Sequence, residues 1–125
     1  MLLLSERLEN DETEKALAYA KEALQIAEEL KHSENIFQSL IQIGFAYSNQ
    51  QKTQNAIQHF KQAKQLATEK NLKRGKALAD FYLGMMYEHT NDYSQCLDYY
   101  TKALQQSKAI EDTIVGMGFQ PVRNL

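Results

Sequence analysis

The chain has 125 residues, 43% hydrophobic and 24% charged, with a net charge of −2. That size fits one domain or a fragment of one, and the charge provides no basic field to hold nucleic acid or an anionic membrane. A single cysteine, Cys96, excludes an internal disulfide framework and fits a reducing, cytoplasmic setting. The opening "MLLL" is too short for the apolar region of a signal sequence, and no apolar run approaches the ~18 residues of a membrane span. The acids are unevenly placed: residues 1–36 hold nine acids and four bases, the remainder seven acids and ten bases. Solvated helix faces account for this asymmetry.

One proline, five glycines and many Ala, Leu, Gln, Glu and Lys residues favour helix throughout. No stretch alternates with a period of two, so no strand is expected. In chain order, Met1 to Leu8 is expected to be the last turns of one helix. A second helix follows as "ALAYAKEALQIAEEL" from Ala16. Glu34 to Asn49 forms a third, with Leu40, Ile43, Gly44 and Tyr47 at helical spacing. "AIQHFKQAKQLATEK" from Ala56 forms a fourth, Lys76 to His89 a fifth, and "CLDYYTKALQQSKAI" from Cys96 a sixth. Glu111 to Gly118 could start another, ended by glycines and Pro121. The polar connections "KHSE", "NQQKT", "KNLKRGK" and "TNDYS" separate them.

The pattern repeats at a spacing of 40. Ala23, Ala63 and Ala103 align, as do Gln25, Gln65 and Gln105. Gly44 and Gly84 each follow a branched aliphatic residue and precede a tyrosine by three. Each lies twelve residues before a small residue, Ala56 or Cys96. A mid-helix glycine costs about 1 kcal/mol relative to alanine. Close crossing of two helices at paired small residues is the expected compensation.

This constellation resembles the tetratricopeptide repeat family. One copy is carried by Leu40, Ile43, Gly44, Tyr47, Ala56, Phe60 and Ala63, the next by Leu83, Gly84, Tyr87, Cys96, Tyr100 and Ala103. Asp80 and Cys96 depart from the pattern, which expects a large apolar residue and alanine. The resemblance implies an all-α fold of antiparallel helix-turn-helix repeats stacked as a right-handed superhelix. The expected units are a partial repeat over 1–33, repeats over 34–73 and 74–112, and an incomplete helix or tail over 113–125. The spacing of 40, longer than the usual 34, resembles the extended repeats of bacterial signalling and transcription-regulatory proteins. The resemblance also implies a non-catalytic module for a protein or peptide partner.

The family's groove positions fall on Gln38, Ile41, Gln42, Phe45, Ser48 and Asn49 in one hairpin. In the next they fall on Leu78, Phe81, Tyr82, Met85, Glu88 and His89. Carboxylate-clamp members place Lys, Asn and Arg there, so a clamp is rejected. An apolar stripe of Ile41, Phe45, Phe81 and Met85 remains, and three occupants are open. It packs on a neighbouring repeat, it takes an amphipathic helix or peptide, or the chain's own tail or a second copy covers it. Homodimerisation is therefore the structural alternative to a groove ligand, the repeats then spacing or joining a larger protein. His32, His59 and His89 lack metal-site spacing, and no catalytic constellation or cofactor motif is found. Cys96 is expected to be a buried inert thiol. Asp80 is expected to pair with a nearby Lys or Tyr, or to mark a shifted register. Lys70, Lys73, Arg74 and Lys76 are expected to form a solvated turn.

Overall fold

The computed structural model describes residues 2–116, with side-chain detail for residues 12–113 and Gly116. Five helices follow one another: α1 (Leu2–Glu29), α2 (Ser33–Asn49), α3 (Thr53–Glu69), α4 (Lys73–His89) and α5 (Tyr93–Gly116). Among the described residues there is no strand. Each helix packs on the next, giving a row of antiparallel hairpins.

Helices α2 to α5 begin twenty residues apart, at Ser33, Thr53, Lys73 and Tyr93. Their joints share one geometry. Lys31, Gln51, Asn71 and Asn91 all lie in the left-handed region, with φ between 54° and 62°. The next residue's N–H then reaches back to the carbonyl five positions earlier. His32 donates to Ala27 at 3.0 Å, Lys52 to Tyr47 at 2.9 Å, Leu72 to Ala67 at 2.8 Å and Asp92 to Tyr87 at 2.9 Å. This pattern satisfies the orphan carbonyls of each helix end. Asparagine tolerates the left-handed region because its short amide bonds locally; Lys31 and Gln51 sit there at a cost of about 1 kcal/mol each.

The core is one cluster running through α2, α3 and α4. Phe60, Ala63 and Leu83 are essentially inaccessible to water, and Phe37, Ile57 and Met86 join them. Full burial of a side chain the size of Phe60 or Leu83 contributes about 1.5–3 kcal/mol. The mid-helix glycines serve this core by making room for aromatic rings. A Cβ at Gly44 would lie 2.5 Å from the Phe60 ring, and one at Gly84 would lie 2.5 Å from the Tyr100 ring. Each glycine is a slot for an aromatic four residues beyond the small position. The tyrosines pack next to these slots: Tyr47 lies 5.2 Å from His59, and Tyr87 stacks on Tyr99 at 5.5 Å.

Three expected boundaries change. Met1 to Leu8 is not the end of a separate helix: α1 runs unbroken from Leu2 to Glu29, because no glycine or proline interrupts it. Helix α4 starts at Lys73 rather than Lys76, and so includes Gly75. A Cβ there would come within 3.0 Å of the Phe37 ring, so this glycine is also a packing slot. Glu111 does not start a new helix; α5 continues through it to Gly116. The expected tail from Met117 onward, Pro121 included, lies outside the described residues.

Candidate functional site

Spacings of four, three and four residues place Gln38, Gln42, Phe45 and Asn49 in one row along α2. Leu78, Tyr82, Met85 and His89 form the matching row along α4. The rows meet where Phe45 packs on Tyr82, ring centroids 4.7 Å apart, with Phe60 beneath at 5.4 Å. Gln38, Gln42, Asn49, Leu78, Met85 and His89 are exposed, whereas Phe45 and Tyr82 are half-buried at the seam. The surface is therefore polar on α2 and apolar on α4, with an aromatic floor.

The other expected groove residues go elsewhere. Ile41 is 4% exposed and belongs to the core. Phe81, forty residues later, is 46% exposed and leans on Tyr100 at 5.5 Å. The difference is positional: α4 closes over the α2–α3 hairpin, and no described helix closes over the α4–α5 hairpin. Glu88 turns toward that second face, accepting a hydrogen bond from the Tyr100 hydroxyl at 2.8 Å. The half-burial of Ser48 places it between the two environments.

This end face is an apolar groove of about 710 Å³ lined by Leu78, Phe81, Tyr100, Leu104 and Ile110, with Arg74 at its rim. Leu104 is 72% exposed and Leu97, two turns earlier, is also exposed. The sequence reading left out Leu97, Leu104 and Ile110. The repeat alignment carried the signal, because Leu97 corresponds to Ile57, which is buried.

Asp80 is fully buried and its pairing is resolved. Its carboxylate lies 2.8 Å from the Lys64 ammonium of α3 and accepts a hydrogen bond from the Gln106 amide of α5. Lys64 also stands over the Tyr99 ring at 5.0 Å. Asp80 thus ties three helices together. His59 hydrogen-bonds its own helix at Asn55, and His32 caps α2 by accepting from the Asn35 N–H at 3.4 Å. Cys96 is buried, and burial with the nearby Glu88 carboxylate pushes its thiol pKa up, away from nucleophilic range. Among the described residues no group of three His, Cys, Asp or Glu could hold a metal ion, and no helix is long and apolar enough to cross a membrane.

A family model for the tetratricopeptide repeat matches residues 37–70 and 81–110. The chain belongs to the tetratricopeptide repeat (TPR) family. TPR repeats are in general protein-interaction modules. A comparison with curated proteins finds no match. The matched segments in this TPR chain include Gly44, Gly84, Tyr47, Tyr87 and Lys64, while Gly75 and Asp80 lie in the gap between them.

The TPR end face contains one group with an unusual titration. Burial, and then the hydrogen bond to Glu88, push the Tyr100 hydroxyl up to about 12. Its folded value exceeds the ordinary tyrosine value of about 10, so its contribution to stability is complete below pH ~10 and is lost as pH rises toward 12. An absorbance titration at 295 nm should show one tyrosine lagging the others. Glu88→Gln should bring that tyrosine back toward its neighbours; a single common transition in the unaltered protein would contradict the assignment.

Proposed function

We propose that this TPR array is a non-catalytic module that binds a peptide or helix of a protein partner across the paired rows of α2 and α4. The observation that supports it is the exposure of Leu78 and Met85 beside the polar row Gln38, Gln42 and Asn49. Apolar ligand side chains would settle on Leu78 and Met85 over the Phe45–Tyr82 floor. The α2 amides and His89 would set polar register. Phe45 supports the floor rather than contacting the ligand with its full ring, and its truncation would damage the fold as well as binding. The repeat units we assign are a partial repeat over 1–33, repeats over 34–73 and 74–112, and a terminal segment over 113–125. The spacing of 40 supports a bacterial signalling or transcription-regulatory setting, and the single cysteine supports a reducing, cytoplasmic one.

A competing reading, a scaffold that dimerises, draws support from exposed Tyr19 and Ile26 on α1 and Leu30 just beyond its end. Light scattering over a concentration series separates the two readings. For ligand binding, peptides selected on the immobilised chain from a random display library should lose affinity at least about tenfold with Leu78→Lys or Met85→Lys. Gln62→Lys on α3 should change nothing. Equal affinity for all three variants would refute the row pair as the site.

A further inference from the structure

The end face repeats an interface the chain already makes. A forty-residue step carries Ile41, Ile57, Phe60 and Ala63 onto Phe81, Leu97, Tyr100 and Ala103. The first four are at most 4% exposed, in the core that α4 closes. Phe81 and Leu97 are exposed. The chain therefore displays what fits such a face, namely a helix laid as α4 is laid on α2 and α3.

Two positions specify that helix further. At the α3–α4 joint Lys64 meets Asp80. Forty residues earlier, the same positions are Leu24 and Leu40, both part of one apolar cluster. The two positions change polarity together. On the end face this position is Leu104, so its covering helix must bring an apolar residue, as Leu40 is for Leu24. The second position is Arg74. Its counterpart Glu34 lines a cavity with Lys73 and Lys76 of the covering helix's first turn. On the end face the sign is reversed, and the covering helix needs an acidic first turn, which its own N-terminal dipole also favours.

Helix α5 runs unbroken past residue 113, where another twenty-residue step would begin such a helix. Among the five helices only α2 carries an acid in its first turn, and α2 is bound into the core. A second folded copy does not offer what the face requires.

We propose that the α4–α5 face binds, in trans, an amphipathic helix of a partner protein with an acidic first turn and an apolar residue six positions later, seated on Leu104. This site shares Leu78 with the α2–α4 rows but not Met85, so Met85→Lys separates the failure of one from the failure of the other.

The test uses the full chain and two labelled peptides followed by fluorescence anisotropy. One peptide is Ser33–Asn49 with two added C-terminal lysines; it has Glu34 in its first turn and Leu40 at the matched position. The other is Lys73–His89, which has a basic first turn and Asp80 at that position. The first should bind at least about tenfold more tightly. Leu104→Lys should reverse the preference, recreating the Lys64–Asp80 pairing. Arg74→Glu should weaken the first peptide, and Met85→Lys should leave it unchanged. Equal binding of the two peptides, or a preference that Leu104→Lys does not alter, would overturn the proposal. So would a dimer in light scattering that Leu104→Lys dissolves, or binding that appears only after residues 117–125 are removed.

Discussion

Replacing Lys64 with methionine should destabilise the fold by about 3–5 kcal/mol, the usual consequence of leaving a buried charge without its partner. Asp80 has no route to water, and Gln106 alone would remain to answer its carboxylate. Asp80→Leu should cost less, because the Lys64 side chain is 24% exposed and its ammonium can turn outward along its own stem. The double variant Lys64→Met/Asp80→Leu should recover most of the loss. Leucines at the corresponding positions, Leu24 and Leu40, show that the same geometry packs with apolar residues. Denaturant unfolding of the four proteins supplies the coupling energy directly. A loss below about 1 kcal/mol for Lys64→Met would mean that the pair is far more solvated than its burial indicates.

Gly44→Ala should cost about 2 kcal/mol, although alanine is the better helix former by about 1 kcal/mol. The new methyl would sit 2.5 Å from a ring that is itself fully enclosed. Phe60 can yield only by moving into Phe45 and Tyr82, which pack on it at 5.4 and 5.6 Å. Overpacking of this sort costs about 1–3 kcal/mol beyond the propensity gain. At Gly84 the obstructing ring belongs to Tyr100, which is half-exposed and free to swing toward the open end face. Gly84→Ala should therefore be close to neutral. Thermal melts by circular dichroism compare the two, and equal losses would show that the Phe60 enclosure is not the cause.

The order of helices was legible because its signals are local. Gly44 and Gly84 with their following tyrosines, and the alanines at intervals of 40, fix which residues face inward on each helix. Asp80 was recognisable as an anomaly, but its partner was not, since Lys64 and Gln106 lie sixteen and twenty-six residues away on different helices. The fusion of Met1–Leu8 into α1 and the extension of α5 were missed for a common reason. Helix breaks in this chain are encoded by turn residues such as Asn71 and Asn91, and a repeating frame suggests breaks where those residues are absent. The candidate surface divided for a different reason. Ile41 and Phe81 have the same periodicity and hydrophobicity, and only the presence of α4 over one of them separates core from surface.

The matched polarity of successive joints also makes the blocks unequal. If residues 33–72 and 73–112 exchanged places, Leu104 would meet Leu40 without difficulty. Asp80, however, would arrive opposite Leu24, stranding a carboxylate among hydrocarbon. Sequence order in this array is thus enforced by a lock at one seam, and the modules cannot be shuffled as interchangeable tiles.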